Sequence, residues 1–359
     1  MQFTSDVPTR EDLTMATTGR AHHLELTGRE ARHGALAGGA LLLEAYQHMM
    51  RARLVDERIT LLNRQGLAPF WVSGMGHEAV QVAAGMAIRA GRDWVAPYYR
   101  DLALSLVMGM TAGQHFLSAL ARRDEPNGGR QMPAHYGSRR LRIISTGSCV
   151  TTQLLHAAGI ALASKMRGED AVTLATLGDG ATSEGDFHEA LNFAAIHRLP
   201  LICVVENNGY AISVPWHRQM GSERIADRAK GYGIAGVTVD GGDVSACYQA
   251  CYNAVERARR GEGSTLIDAR VQRLASHSSD DDQRRYRSAT ELEADRKVDC
   301  LERARTLLQS SGLMSSEEAG SLRARITAEL DDALSQAEAA PLPEAESALP
   351  HVYGTPTAR

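Results

Sequence analysis

The chain alternates short, continuously apolar runs with segments in which apolar residues recur at helical spacing. The clearest case starts with an apolar run at residues 171–177 and ends with a second run at 201–205. Between them, one helical face is marked by Phe187, Ala190, Leu191, Ala194 and Ala195. Short apolar runs that end at turn residues are typical of strands buried on both faces. Residues 171–209 are therefore predicted to form a strand, a helix capped by Ser183, and a second strand.

The same rhythm extends along most of the chain. Residues 40–65 predict a long helix that ends at Gly66. Its charged residues predict a solvated or interface face, at Arg51, Arg53, Asp56, Glu57 and Arg58. Further along, a short helix is predicted at residues 222–231, a strand at 236–239, a helix at 244–258 and a strand at 265–271. A pair of charged helices is predicted within residues 289–338. This alternation predicts an α/β fold with a central, mostly parallel sheet flanked by helices.

Composition indicates the domain organisation and argues against some classes of partner. We expect an N-terminal arm at 1–39, one domain at 40–340 and a tail at 341–359. The net charge of −4 and the lack of a long apolar run argue against nucleic acid or a membrane as partner. The acidic N-terminus does not resemble a signal peptide. The 5 cysteines include no CxxC pair, and Cys247 and Cys251 are predicted to lie in the core. A cytoplasmic protein with reduced thiols is the simplest interpretation.

Polar residues follow both strands of the 171–209 unit. Gly178-Asp179-Gly180 ends the first strand and Asn207-Asn208-Gly209 ends the second. Strands joined by a helical crossover run parallel, so both ends lie at one edge of the sheet, where α/β proteins bind ligands. The Asp179 carboxylate and the Asn208 amide oxygen are hard ligands that suit Mg²⁺. We expect the glycines to permit a sharp turn and close approach of the backbone to phosphate oxygens.

A dinucleotide-binding site is the alternative interpretation of this turn. Glu206, at the end of the second strand, imitates the acid that binds a ribose in such sites. However, Ser183 stands where the dinucleotide motif needs its third glycine. The GDG sequence, the spacer at 181–206 and the NN pair instead resemble the thiamine-diphosphate motif. That resemblance implies Mg²⁺ bound by Asp179, Asn208 and the Tyr210 carbonyl, with Gly178, Gly180 and Ala181 at the cofactor.

Three further segments resemble alpha subunits of 2-oxo acid dehydrogenases. Tyr99-Arg100-Asp101, which alone suggests either a phosphate contact or a surface Arg–Asp pair, matches their YR element. The resemblance places Tyr99 and Arg100 at the cofactor diphosphate. Residues 145–153 stand in the place of a loop that supports the bent cofactor in this family, and the resemblance implies cofactor contacts from Ser148 and Val150. The 277–287 segment would ordinarily be a solvated loop, but its likeness to the HS-x-SDD…YR loop makes His277 the candidate catalytic residue and a further cofactor contact.

The substrate pocket is inferred from a fourth segment. Residues 129–133 read GRQMP and resemble the branched-chain members of this group more than the pyruvate members. By that likeness Phe70, Tyr99, Met132 and His135 line a pocket for a branched 2-oxo acid such as 2-oxoisovalerate. Near Phe70, His77 and Glu78 begin a predicted helix, and either a capping or a catalytic role fits His77.

The resemblance spans residues 40–350 and implies a specific reaction. It implies oxidative decarboxylation of a 2-oxo acid and acyl transfer to lipoyl groups on an acyltransferase core. The glutamate that activates the cofactor comes from a beta subunit in two-subunit members, so the resemblance implies an α2β2 heterotetramer. A pyruvate or acetoin dehydrogenase alpha subunit, and a cofactor-binding scaffold without activity, are the alternatives.

Overall fold

A five-stranded, entirely parallel sheet forms the centre of the computed structural model, which describes residues 39–350. Its strands are β1 Trp94–Ala96, β2 Thr173–Gly178, β3 Leu201–Asn207, β6 Ala235–Asp240 and β7 Thr265–Arg270. They lie in the order β1-β2-β3-β7-β6. A separate antiparallel hairpin consists of β4 Tyr210–Ala211 and β5 Val214–Pro215. The predicted α/β class and parallel sheet are confirmed.

Helices cover both faces of the sheet and extend beyond it. They are α1 Gly39–Arg64, α2 Glu78–Ala87, α3 Leu102–Val107, α4 Ala112–Ala119, α5 Thr152–Met166, α6 Gly185–Ile196, α7 Arg228–Tyr232, α8 Val244–Arg259, α9 Ala289–Lys297, α10 Cys300–Ser310 and α11 Ser316–Ala339. The C-terminal charged region thus forms three helices, not the predicted pair, and α7 begins six positions later than predicted. No helix among the described residues is long and apolar enough to cross a membrane.

Strands β2 and β3 are buried on both faces, as their apolar sequences predict. Leu174 and Ile202 pack into a core beneath α1, α2 and α8, whereas their neighbours Ala175 and Cys203 pack into a second core beneath α5 and α6. Successive side chains on a strand point to opposite faces, so a strand covered on both sides must be apolar throughout. The two strands pair in register, with Gly178 opposite Glu206, and their carboxyl ends therefore share one edge.

The turn after β2 differs from its prediction. Residues Asp179–Ser183 form a 3-10 helix, and Glu184, not Ser183, is the N-cap of α6, with no side-chain capping bond. Neither Gly178 nor Gly180 has the left-handed backbone conformation. Gly180 is instead required by packing, because a Cβ there would lie 2.5 Å from the Cβ of Ala211 in β4.

The charged residues of α1 also differ from their prediction. Arg53 and Asp56 are buried, not solvated, because their partners come from distant parts of the chain. Arg53 pairs with Glu78 at 2.6 Å and with Asp299 at 2.7 Å. Cys247 and Cys251 lie in the core, as predicted.

The predicted arm lies outside the described residues, apart from Gly39 at the start of α1. The first part of the predicted tail packs against the 121–130 loop of the same chain. The Arg123 amide donates to the Pro341 carbonyl at 2.9 Å, and the Arg130 guanidinium donates to the Ser347 carbonyl at 2.7 Å.

Candidate active site

A cleft of about 450 Å³ opens at the carboxyl end of the sheet. Every residue assigned to the site from the sequence lines it except Met132, which is 50% exposed and does not line the cleft. The lining comprises Phe70, Val72, Tyr98, Tyr99, Arg100, His135, Ser148, Val150, Gly178, Asp179, Gly180, Ala181, Glu184, Asn208, Tyr210, Ala211, Ile212 and His277. Five of these were not predicted, namely Val72, Tyr98, Glu184, Ala211 and Ile212. The cleft therefore brings together segments that are far apart in sequence.

Asp179 combines a buried side chain with a carboxylate oxygen that has no hydrogen-bond partner among the described residues. The side chain is buried, and its Oδ2 accepts a hydrogen bond from the Gln219 amide at 2.9 Å. Its Oδ1 is buried without a hydrogen-bond partner within residues 39–350. Burial raises the pKa of Asp179 above its ordinary value. Since a buried carboxylate oxygen without a donor is costly, a cation at this position would satisfy it.

The two asparagines after β3 have different surroundings. The Asn207 amide donates to Asp268 on β7 at 3.0 Å, which ties neighbouring strands together. Asn208 lines the cleft, and its Oδ1 accepts from the Tyr210 amide at 3.2 Å. Within the described residues no group of three or more His, Cys, Asp or Glu side chains is arranged to hold a metal. The available set is one carboxylate, one amide oxygen and one main-chain carbonyl, which are the hard oxygen ligands that suit Mg²⁺.

Arg100 supplies a buried positive charge on the other side of the cleft. Its Nη1 donates to the Ser73 carbonyl at 2.6 Å, and its Nη2 donates to the His277 carbonyl at 3.2 Å. Its Nε is buried without a partner in the described part of the chain. The alternative of a surface Arg100–Asp101 pair is wrong, because both side chains are buried. A buried guanidinium that has an N–H group without a hydrogen-bond partner suits an anionic ligand.

His277 lies beside this guanidinium, with its ring edge-on to Tyr99 at a centroid distance of 6.1 Å. Burial, followed by the positive charges of Arg100 and Arg273, lowers the pKa of His277 to about 4. Its backbone amide donates to Asp281 at 2.8 Å, which fixes the loop. The imidazole is therefore neutral near pH 7 and can accept a proton.

Ser148 and His135, which were assigned to different ligands, form one hydrogen-bonded pair. His135 Nδ1 lies 3.1 Å from the Pro133 carbonyl, and Nε2 lies 2.5 Å from the Ser148 hydroxyl. Because a carbonyl can only accept, Nδ1 must carry the proton, and Nε2 accepts from Ser148. The pair fixes the imidazole at the rim of the cleft.

A buried polar network lies beneath the cleft. Glu206 is fully buried and accepts from His77 at 2.7 Å, from Gln81 at 2.9 Å and from the Tyr98 hydroxyl at 3.1 Å. Burial, then the charge of Glu206, raises the pKa of Asp101 well above its usual range. Glu206 is thus occupied within the protein and is not available to bind a ribose. His77 makes no side-chain capping bond and belongs to this network.

Arg273 connects two walls of the cleft and was not identified from the sequence. The side chain is 1% exposed, and its Nη2 donates to the Ile212 carbonyl at 3.0 Å and to the Tyr286 hydroxyl at 2.8 Å. Tyr286 in turn donates to Asp281, which holds the His277 amide. Ile212 has a φ of +55°, an uncommon conformation for a β-branched residue. The only sequence signal for Arg273 is its position just beyond a predicted strand.

The sequence matches the family described as the dehydrogenase E1 component over residues 46–346, and the chain belongs to that family. It is similar to the 2-oxoisovalerate dehydrogenase subunit alpha of Bacillus subtilis, with 46% identity over 94% of this chain and 99% of that protein. The 3-methyl-2-oxobutanoate dehydrogenase subunit alpha of Mycobacterium tuberculosis is 42% identical over 80% of this chain and 77% of its own. The pyruvate dehydrogenase E1 component subunit alpha of Staphylococcus aureus is 36% identical over 83% of this chain and 78% of its own.

Proposed function

We propose that this chain is the alpha subunit of a branched-chain 2-oxo acid dehydrogenase. Its substrates are 2-oxoisovalerate-type acids, which it decarboxylates oxidatively with transfer of the acyl group to lipoyl groups on an acyltransferase core. The observation that carries this proposal is the cleft that joins a buried carboxylate oxygen without a hydrogen-bond partner among the described residues, Asp179 Oδ1, to the buried guanidinium of Arg100. The 46% and 42% identity to the two bacterial branched-chain relatives, against 36% to the pyruvate relative, supports the substrate class.

Thiamine diphosphate with Mg²⁺ is the proposed cofactor. Membership of the E1 family implies thiamine diphosphate, and the residues present fit it. Asp179, Asn208 and the Tyr210 carbonyl would hold the metal, and Tyr99, Arg100 and His277 would hold the diphosphate. The remaining contacts to the cofactor would come from other residues that line the cleft, namely Gly178, Gly180, Ala181, Ser148 and Val150. When bound, the thiazolium ring supplies the electron sink for decarboxylation.

The proposed substrate pocket is formed by Phe70, Tyr99 and His135. Phe70 and Tyr99 pack against the main core, so their aromatic faces are fixed. An apolar wall of this kind accommodates an isopropyl group better than a methyl group, by about 1–3 kcal/mol for each added methylene. Because Met132 does not line the cleft, this pocket rests on the other three residues.

His277 is the proposed proton donor and acceptor. The positive charges of Arg100 and Arg273 and the burial of the ring keep its imidazole neutral at the working pH. A neutral imidazole at the cleft can accept a proton from the reacting substrate and then donate that proton to the lipoyl sulfur as the acyl group is transferred. On this proposal His277→Ala slows acyl transfer more than it weakens cofactor binding.

A beta subunit completes the proposed enzyme as an α2β2 heterotetramer in the cytoplasm. The glutamate that activates the cofactor is expected from that subunit, by the resemblance to two-subunit members of the family. The assembly then binds the lipoyl-bearing acyltransferase core. The single chain is thus expected to be inactive without its partner.

The substrate test uses the tagged protein purified from its own host with its associated subunits. Oxidation of 2-oxoisovalerate, of pyruvate and of acetoin is compared by the reduction of an artificial electron acceptor, in the presence of thiamine diphosphate and Mg²⁺. Preference for 2-oxoisovalerate, with a second subunit present, is the expected result. Preference for pyruvate or acetoin would overturn the substrate assignment but keep the cofactor. A preparation that contains both subunits but oxidises none of the three compounds would favour the scaffold without activity.

A further inference from the structure

Asp56 is a buried carboxylate that has no place in the function described above. It lies on α1 with 2% of its surface exposed and does not line the cleft. Its Oδ1 accepts from the Trp71 indole at 2.7 Å, and its Oδ2 accepts from the Gly74 amide at 2.7 Å and the Ser73 hydroxyl at 3.1 Å. A longer contact, at 3.5 Å, comes from Thr60 on the same helix. One carboxylate therefore holds residues 71–74 at three points.

The 71–74 segment in turn holds both proposed anion-binding residues. The Ser73 carbonyl accepts the 2.6 Å hydrogen bond from Arg100. Trp71 pairs with Ser279 in the His277 loop: its amide donates to the Ser279 hydroxyl at 3.2 Å, and its carbonyl accepts from the Ser279 amide at 2.9 Å. The positions of Arg100 and of the His277 loop thus depend on where α1 holds this segment.

We propose that Asp56 is a positioning residue that sets Arg100 and the His277 loop for binding of the cofactor diphosphate. The inference rests on the proposed cofactor site and deepens it. Only a group with two acceptor oxygens satisfies the three donors that converge on it. An isosteric asparagine turns its NH₂ group toward either the Trp71 indole or the Gly74 amide. Asp56→Asn therefore removes a hydrogen bond at one end of the 71–74 segment without changing the volume of the side chain.

The first test measures cofactor affinity by isothermal titration calorimetry. Thiamine diphosphate is titrated with Mg²⁺ into the assembled protein carrying Asp56→Asn, and we expect the Kd to rise about tenfold. Asp93→Asn is the matched control. Asp93 is also fully buried and has three donors, the Arg89 and Val172 amides at 2.7 and 3.0 Å and the Arg259 guanidinium, but it lies at the amino end of the sheet. Asp93→Asn should leave the Kd within about twofold of wild type.

A double-mutant cycle separates positioning from general destabilisation. Arg100→Ala is measured alone and together with Asp56→Asn. If Asp56 acts through Arg100, its tenfold effect shrinks to about threefold or less once Arg100 is absent. A full tenfold effect in the double mutant would overturn the proposal.

Hydrogen exchange supplies a readout that needs no cofactor. The Ser279 amide, which bonds to the Trp71 carbonyl, should exchange at least about tenfold faster in Asp56→Asn and at the wild-type rate in Asp93→Asn. Unchanged protection of Ser279 in Asp56→Asn would overturn the inference. If the wild-type assembly binds no thiamine diphosphate, the proposed function fails while this exchange experiment still tests Asp56.

A milder variant covers the case in which Asp56→Asn does not fold. Trp71→Phe removes one donor and leaves the carboxylate with the other two. Faster exchange at Ser279 and a Kd raised about threefold are expected. Wild-type values of both quantities would overturn the proposal.

Discussion

Gly180→Ala tests how the turn after β2 is built. The new Cβ would lie 2.5 Å from the Cβ of Ala211 and 3.2 Å from its Cα, whereas carbon atoms pack at about 3.5–4.0 Å. Relief requires the β4–β5 hairpin to move by about 1 Å, because Ala211 has no flexible side chain that can rotate away. Gly180 does not have a left-handed backbone, so steric contact is the whole unfavourable effect.

The expected magnitude combines two opposing contributions. Overpacking of this kind costs about 1–3 kcal/mol, and removal of a glycine from the unfolded chain returns about 0.4–1 kcal/mol. We expect a net loss of about 1–2 kcal/mol in the free energy of unfolding. Because Tyr210 precedes Ala211 in β4, its carbonyl moves with the hairpin, and Mg²⁺-dependent cofactor affinity should fall as well.

Denaturant unfolding and cofactor titration measure these two effects. Gly231→Ala on α7 is the matched control, since a Cβ there meets nothing within 4 Å and its backbone is not left-handed. That variant should be as stable as wild type or slightly more stable, with unchanged affinity. Wild-type stability and affinity in Gly180→Ala would refute the packing argument.

Two further predictions concern the walls of the cleft. The imidazole of His277 should titrate by NMR with a pKa near 4, and a value near 6.5 would contradict its proposed surroundings. Because the folded state disfavours the protonated ring, its contribution to stability is present above pH 6.5 and is lost as the pH falls toward 4. Ile212→Asn should raise the free energy of unfolding, measured by denaturant titration, by about 0.5–1 kcal/mol, since asparagine tolerates a positive φ. Lower stability would show that Ile212 is not strained.

The strands and the shared edge that carries Asp179 and Asn208 could be predicted because their signals are local. Continuous apolar runs identify β2 and β3, and parallel pairing then brings Asp179 and Asn208 to one edge of the sheet. No long-range information was needed for either step. The same reasoning predicted α8 and the burial of Cys247 and Cys251, because the apolar residues of this helix recur at regular spacing.

The buried polar groups could not be predicted, because their partners are distant in sequence. Asp56 and Arg53 look like surface residues until residues 71–78 and Asp299 pack against them. Glu206 similarly resembled a ligand-binding acid until the structure placed it among His77, Gln81 and Tyr98. The Met132 prediction relied on likeness alone, and only the path of the loop shows which side chains reach the cleft.

The proposed metal site is tested most directly by a single titration. Thiamine diphosphate is titrated into the assembled protein with Mg²⁺ or with EDTA, for wild type and for Asp179→Ala, with circular dichroism as the check on folding. We predict saturable, Mg²⁺-dependent binding by wild type and none by Asp179→Ala, which should stay folded. Cofactor affinity retained in Asp179→Ala, or equal affinity with EDTA, would contradict the assignment of the metal to this cleft.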